Sequence, residues 1–310
     1  MTVFLYVLIF IVSLTVLLRS ADWFIDSAER IGLSLGGSPF IIGVTIVAFG
    51  TSLPELATSI VSVLEGESEI VIGTVIGSNI TNIALVLGLT IIFVGSVNLE
   101  YNIWHIDMPY LWSSAFLLYF ILLDGQVALY ECLICLVGIV IFLGYSIREG
   151  TDQEDLVRTR VSWKQYVLLV IGGAGVAIGS DYVIYAIKEL SLLAGVDSEL
   201  ISLSAVALGT SLPEVIVSIN AARKGKATIA VGNVVGSNVF NTYVVVGISA
   251  LVGELEIPDK INAFFLPLMI AMTLVFGIMS NNKSITRWEG SMLMLFYVVF
   301  LVEIFSGVAN

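Results

Sequence analysis

Two stretches of this chain carry nearly the same sequence, and each places a glutamate inside a long apolar run. Residues 48–55 read AFGTSLPE and residues 207–214 read ALGTSLPE, so Glu55 and Glu214 are separated by 159 residues. The motif G-x-x-x-G-S-N begins 18 residues after each glutamate, at the same offset of 159. An ionisable side chain inside a membrane helix is costly and marks a functional site. Two such groups related by duplication predict one central site built from both halves of the chain.

The composition places these apolar runs in a lipid bilayer. Hydrophobic residues make up 58% of the 310 residues and charged residues only 12%, whereas a soluble domain is about 25% charged. The N-terminal sequence MTVFLYVLIF has no basic segment and no small-residue cleavage site, so we interpret it as a first span. The net charge of −12 excludes nucleic acid as a natural partner, because phosphate binding requires a basic face. The chain is therefore predicted to be a polytopic helical membrane protein without a separate soluble domain.

The apolar runs predict ten spans, five on each side of one long polar segment. The predicted fold is an all-α polytopic membrane protein of ten transmembrane helices in two five-helix repeats, 1–147 and 163–310, joined by a linker at 148–162. Because five is odd, the second repeat enters the membrane in the opposite orientation, which gives an inverted-topology repeat. The predicted spans are 3–30, 38–63, 69–96, 104–123, 127–147, 163–192, 198–222, 227–252, 260–280 and 286–307.

Basic residues in the short loops predict the orientation of the chain, because they concentrate on the cytoplasmic side of a membrane. One side holds only Lys188 and Lys260, and Arg19 lies within the first span. We therefore predict a plasma-membrane protein with a cytoplasmic linker and both termini outside. The basic residues of the predicted cytoplasmic side are Arg30, Arg148, Arg158, Arg160, Lys164, Arg223, Lys224, Lys226, Lys283 and Arg287.

The repeated GTSLPE motif combines a helix-breaking residue with side-chain oxygens. Pro54 has no N–H for the carbonyl of Gly50, and such a break within a membrane is tolerated only where it faces protein or a water-filled cavity. Thr51 and Ser52 bring hydroxyl groups to this point, and Glu55 lies one turn beyond Thr51 on the same face. The second copy repeats the arrangement with Gly209, Thr210, Ser211, Pro213 and Glu214.

The G-x-x-x-G-S-N motifs supply serine and asparagine side chains to the other side of the predicted site. Ser78 and Asn82 are four residues apart, and so are Ser237 and Asn241, which places each pair on one helix face. The paired glycines allow close helix approach. Small and hydroxyl residues also pack membrane helices without binding anything, but two copies at one offset favour a cation site. The set of carboxylate, amide, hydroxyl and carbonyl oxygens suits a hard cation such as Ca²⁺, whereas zinc or copper would bring His or Cys. No cofactor is predicted.

With these two motifs the chain resembles the cation/calcium antiporter superfamily, and it is most similar to prokaryotic sodium/calcium exchangers. The resemblance implies a site between spans two, three, seven and eight, with Na⁺ and Ca²⁺ as substrates. Family members that depend on potassium carry aspartate at the position of Asn241, so Asn241 weighs against potassium dependence. The metal ligands that the resemblance implies are Glu55, Glu214, Thr51, Ser52, Ser78, Asn82, Thr210, Ser211, Ser237 and Asn241, with the backbone carbonyls of Ala48 and Ala207.

The resemblance implies alternating-access exchange of Na⁺ against Ca²⁺, with spans one and six sliding across the other eight. One alternative is a proton/calcium antiporter that uses the same glutamates, although its family branch favours a different motif. A second alternative is a cation channel, which needs no trans ion. An enzyme is not predicted, because Ser52 and Ser211 lack a histidine or lysine partner in the motif. The charges at Asp22, Asp26 and Glu29 of span one predict either gating or pairing within the bundle. No obligatory protein partner is evident.

Overall fold

The structure, a computed structural model, describes residues 2–98, 107–151, 161–193, 211–258, 260–281 and 284–306. Within these ranges lie ten helices, eight of which are long and apolar enough to cross a bilayer. The helices are α1 Thr2–Ser34, α2 Pro39–Leu64, α3 Glu69–Val94, α4 Asp107–Ile121, α5 Leu129–Thr151, α6 Trp163–Leu193, α7 Leu212–Arg223, α8 Ala227–Val252, α9 Ile261–Ser280 and α10 Arg287–Ser306.

The ten helices correspond one to one with the ten predicted spans. The beginnings predicted for α4 and α7, at 104–106 and 198–210, lie outside the described residues. Helix α5 continues to Thr151, so the first residues of the predicted linker are helical, and the boundaries of the two repeats stay predictions. A short antiparallel pair of strands, β1 (Ser96–Asn98) and β2 (Ser284–Thr286), joins two interhelical segments and was not predicted.

Helices α1 and α6 occupy the same position in the two repeats, and they run antiparallel to each other. A Cβ added to Gly172 would lie 2.8 Å from the backbone nitrogen of Phe24, and one added to Gly179 would lie 2.9 Å from the Cβ of Leu17. The residue number rises along α6 while it falls along α1, which is the geometry of antiparallel helices. Opposite directions in equivalent helices are what an inverted repeat requires.

A second contact shows the approximate two-fold relation at the centre of the bundle. The side-chain Nδ2 of Asn79 on α3 lies 3.5 Å from the backbone oxygen of Asn238 on α8. The side-chain Nδ2 of Asn238 lies 3.4 Å from the backbone oxygen of Asn79. Two residues 159 positions apart therefore donate the same bond to each other, as residues do across a two-fold axis. The fold is an all-α polytopic bundle of two inverted five-helix repeats.

The helices separate into an inner and an outer group by burial. In the most apolar 18-residue window, 78% of the residues of α3 and 83% of those of α8 are buried, against 17% for α1 and 28% for α6. A helix that is apolar on every side is buried within protein or faces lipid. Helices α3 and α8 therefore form the centre of the bundle, and α1 with α6 forms a peripheral pair.

Helix α8 packs against α2 through its two motif glycines. A Cβ on Gly232 would lie 2.4 Å from the carbonyl oxygen of Phe40, and one on Gly236 would lie 2.2 Å from that of Val44. Only glycine allows this approach of two backbones, so the predicted close contact is confirmed for the second copy. In the first copy the equivalent partner positions, 199 and 203, lie outside the described residues.

Candidate functional site

The GTSLPE segment of α2 differs from its predicted form. The helix runs without interruption from Ala48 to Leu64 with Pro54 inside it, so the predicted break does not occur. A wider π turn at Gly43–Val47 lies immediately before the motif instead. Gly50 has a packing role, because a Cβ there would lie 2.4 Å from the ring of Phe24 on α1. The absence of a side chain at Gly50 therefore brings α1 against the motif.

The predicted ligands that the structure describes come from four helices and are all withdrawn from solvent. Each is at most 3% exposed. Thr210 and Ala207 lie outside the described residues. The described members are Ala48, Thr51, Ser52 and Glu55 on α2, Ser78 and Asn82 on α3, Ser211 and Glu214 at the beginning of α7, and Ser237 and Asn241 on α8.

Hydrogen bonds across the two repeats hold α2 against α7 and α8. The hydroxyl of Ser52 donates to Oε1 of Glu214 at 3.2 Å. The Oγ1 atom of Thr51 lies 3.5 Å from Oγ of Ser237, and 3.3 Å from the carbonyl oxygen of Ala48. These contacts place predicted ligands of the first copy beside predicted ligands of the second, as the sequence predicts.

Asn82 and Asn241 begin equivalent π turns on α3 and α8. The turn at Asn82–Leu87 and the turn at Asn241–Val245 have the same position in the two repeats. Wider turns of this kind are frequent at functional sites, because they redirect the side chains that they carry. Each asparagine donates its Nδ2 to a neighbouring amide oxygen, at 3.1 Å for Asn82 and 3.2 Å for Asn241. The Oδ1 atom of each asparagine therefore lies on the side of the amide away from this hydrogen bond.

Several oxygen atoms of this cluster lack a hydrogen-bond donor among the described residues. Buried polar groups in proteins are almost always paired, and an unpaired carboxylate in a low dielectric is strongly destabilised. A cation bound among these oxygens would supply the missing partner and neutralise the two carboxylates. Two carboxylates with amide and hydroxyl oxygens form the donor set that Ca²⁺ and Na⁺ accept. The unpartnered atoms are both Oε of Glu55, Oε2 of Glu214, Oδ1 of Asn82, Oδ1 of Asn241 and Oγ of Ser211.

Three asparagines that the sequence analysis did not place in the site contact its ligands directly. Asn238 accepts from Asn82, and Asn79 accepts from Asn241. Asn233 accepts from Thr51 at 3.2 Å. Asn79 and Asn238 end the G-x-x-x-G-S-N motif, so their repetition was a signal that could have identified them.

Comparison with known proteins identifies the family of this chain. The family model described as Sodium/calcium exchanger protein matches residues 5–148 and, separately, residues 164–305. The chain is 32% identical to the sodium/calcium exchanger MaX1 of Methanosarcina acetivorans, covering 96% of this chain and 98% of that protein. It is also 32% identical to the putative antiporter CaxA of Alkalimonas amylolytica, covering 96% of this chain and 98% of that protein.

A solved structure shares the fold over nearly the whole chain. The sodium-calcium exchanger NCX_Mj, in a crystal soaked with zero Na⁺ and Ca²⁺, superposes with a TM-score of 0.85 at 29% identity, covering 97% of this chain and 99% of that chain. The proteins of this family are transporters whose ions are substrates, not enzymes with cofactors. The family model covers both repeats, and the chain therefore belongs to the sodium/calcium exchanger family.

Proposed function

We propose that this chain exchanges Na⁺ for Ca²⁺ by alternating access at the site between α2, α3, α7 and α8. The observation that carries the proposal is the group of unpartnered buried oxygens on Glu55, Glu214, Asn82 and Asn241. The names of the relatives MaX1 and NCX_Mj support the choice of ions. By its resemblance to the family, the chain has Asn241 where potassium-dependent members carry aspartate, and this favours transport without potassium.

The charge of the site explains why the two ion fluxes are coupled. Two ionised glutamates give the site a charge of −2, and moving that unpaired charge through a low-dielectric barrier is strongly unfavourable. One Ca²⁺ cancels the charge, and several Na⁺ ions cancel it as well. Only the ion-loaded forms then switch readily between the two sides, so each ion crosses in exchange for the other.

The experiment that tests the function is ⁴⁵Ca²⁺ uptake into proteoliposomes loaded with Na⁺. We expect uptake that requires an outward Na⁺ gradient and is independent of potassium. Uptake driven by a proton gradient in the absence of Na⁺ would instead assign the chain to proton/calcium exchange. Uptake without any counter-ion would indicate a channel and would contradict the proposal.

The proposed movement of α1 is supported by a set of ion pairs at one end of that helix. Lys226, between α7 and α8, pairs with Asp26 at 2.7 Å and with Glu29 at 2.8 Å, and Lys224 pairs with Asp22 at 2.8 Å. Asp22 therefore pairs with a lysine of the second repeat. Burial disfavours the charged form of Lys226, but its hydrogen bonds to Asp26 and Glu29 outweigh burial and raise its pKa. A sliding α1 must break these contacts.

The opposite end of the bundle has charged residues at the two equivalent positions, with the signs of the charges exchanged. The positions related by 159 residues to Glu29 and Lys226 are Lys188 on α6 and Glu67 between α2 and α3. In the described part of the chain neither residue is within ion-pair distance of an opposite charge, and Glu67 is exposed. We propose that Lys188 and Glu67 meet in the opposite access state, when the two repeats exchange conformations.

Charge reversal tests this part of the proposal. Lys226→Glu removes two pairs, and we expect it to destabilise the described conformation by about 1 kcal/mol for each. Each lost pair corresponds to a roughly fivefold change in the rate of Ca²⁺/Ca²⁺ exchange, or roughly 30-fold for both. The double variant Glu29→Lys with Lys226→Glu should recover only part of this change, since it restores the pair between positions 29 and 226 but leaves Asp26 without its pair to residue 226. Lys188→Glu should shift the equilibrium in the opposite direction. Unchanged rates in both single variants would contradict a movement of α1 and α6.

A further inference from the structure

Asn79 and Asn238 lie where α3 crosses α8, directly behind the two amide ligands of the proposed site. Each is at most 3% exposed. Each donates its Nδ2 to the backbone carbonyl of the other, at 3.5 and 3.4 Å. Asn79 Nδ2 also lies 3.3 Å from Oγ1 of Thr242 and 3.7 Å from Sδ of Met269. The two side chains are therefore held by acceptors outside the ligand set.

A backbone carbonyl fixes the orientation of each of these amides, because a carbonyl oxygen can only accept a hydrogen bond. Nδ2 must face the carbonyl, so Oδ1 must face the other way. Oδ1 of Asn79 then receives Nδ2 of Asn241, and Oδ1 of Asn238 receives Nδ2 of Asn82. Because Nδ2 of each ligand asparagine is used in this hydrogen bond, its Oδ1 lies on the side away from the bond. In both repeats, a backbone carbonyl therefore sets the orientation of one amide, and that amide sets the orientation of the next.

We infer that Asn79 and Asn238 are positioning residues that make Asn241 and Asn82 present oxygen, and not nitrogen, to the transported cation. The inference rests on the proposed function, since it assigns a role within that site. The terminal torsion of an asparagine is broad and nearly two-fold. Without its orienting partner, each ligand can turn its NH₂ group toward the cation. One ligand oxygen would then be replaced by a positively polarised group.

Each positioning residue orients the ligand of the other repeat, and this makes a specific test possible. Asn238 orients Asn82, and Asn79 orients Asn241. An aspartate has two equivalent oxygens, so it presents oxygen to a cation whichever way it turns. Asn82→Asp should therefore restore Ca²⁺ binding in Asn238→Leu and not in Asn79→Leu. Asn241→Asp should restore binding in Asn79→Leu and not in Asn238→Leu. The backbone carbonyls remain in both leucine variants, so each variant removes the orientation of one ligand only.

The measurement is Ca²⁺ binding to purified full-length protein by isothermal titration calorimetry, with Na⁺-driven uptake measured in parallel. Loss of a residue that orients a metal ligand commonly weakens metal affinity by about 10- to 100-fold, and we expect at least tenfold for each leucine variant. Because Asn82→Asp and Asn241→Asp add the same charge, each is the control for the other. If a leucine variant does not fold, the corresponding serine variant, which has a smaller side chain, takes its place.

The outcomes separate this inference from the proposed function. Affinities within twofold of the parent chain in the leucine variants would overturn the inference. Equal rescue of both leucine variants by either aspartate would overturn it as well, because the effect would then be one of charge alone. A parent chain that binds Ca²⁺ but does not exchange it would overturn the proposed function, while the crossed rescue of binding could still support the positioning role. A parent chain that does not bind Ca²⁺ would contradict both.

Discussion

Replacing Glu55 with glutamine is expected to abolish Na⁺-driven Ca²⁺ uptake. Both carboxylate oxygens of Glu55 lack a hydrogen-bond partner in the described residues, and the side chain is 1% exposed. Glutamine has nearly the same shape, but it removes one negative charge and introduces an NH₂ donor among oxygens meant for a cation. Removing one partner of a buried charge pair typically costs about 3–5 kcal/mol, which corresponds to a loss of Ca²⁺ affinity of roughly 100-fold or more.

The matched control for this prediction is Glu131→Gln. Glu131 is also buried, at 8% exposed, but it lies at the beginning of α5 and accepts a hydrogen bond from the backbone nitrogen of Ala128 at 2.8 Å. The amide oxygen of glutamine can accept the same bond, so uptake should persist. The measurement is the initial rate of ⁴⁵Ca²⁺ uptake normalised to reconstituted protein. A Glu55→Gln rate above a tenth of the parent rate would contradict a central role for this carboxylate.

Gly236→Ala should strongly destabilise the bundle, although Gly236 lies outside the predicted ligand set. The added Cβ would lie 2.2 Å from the carbonyl oxygen of Val44 and 2.6 Å from the Cβ of Ala48. These are backbone and Cβ atoms of α2, which cannot rotate away, so α8 must move outward. Overpacking of this kind costs about 1–3 kcal/mol or more. The movement would also separate Ser237 from Thr51 within the site.

The thermal midpoint of the detergent-solubilised protein measures this effect, with and without Ca²⁺. We expect a decrease of several degrees in Gly236→Ala and a smaller Ca²⁺-dependent increase than in the parent chain. Gly144→Ala is the control, because a Cβ at that helical glycine has no described neighbour within 4 Å and alanine favours a helix. Equal midpoints in the two variants would show that α2 and α8 are not packed as described.

The sequence predicts most of the candidate site because its signal is duplicated. Glu55 and Glu214, with the hydroxyl and amide residues near them, repeat at one offset, and the described ligands of the two copies are buried and come together across the repeats. The span boundaries followed from apolar length, since a bilayer sets the length of a helix that crosses it.

The remaining features depend on contacts that a residue pattern does not encode. Pro54 was expected to open α2, but the helix continues through it, and the wider turn lies at Gly43–Val47. Gly50 accommodates the ring of Phe24 from a distant helix. Asn79 was visible in the motif, but its role depends on which neighbour donates and which accepts a hydrogen bond. Donor and acceptor pairing becomes known only when the helices are placed in three dimensions.

In the proposed exchanger, one site shared by Glu55 and Glu214 takes either Ca²⁺ or Na⁺. The decisive experiment titrates Ca²⁺ calorimetrically into the purified protein at a series of Na⁺ concentrations, for the parent chain and for Glu214→Gln. We expect Na⁺ to raise the apparent Kd for Ca²⁺ competitively, without changing the number of sites, and Ca²⁺ binding to be lost in Glu214→Gln. Ca²⁺ binding that is indifferent to Na⁺, or that survives in Glu214→Gln, would show that the two ions do not share this site.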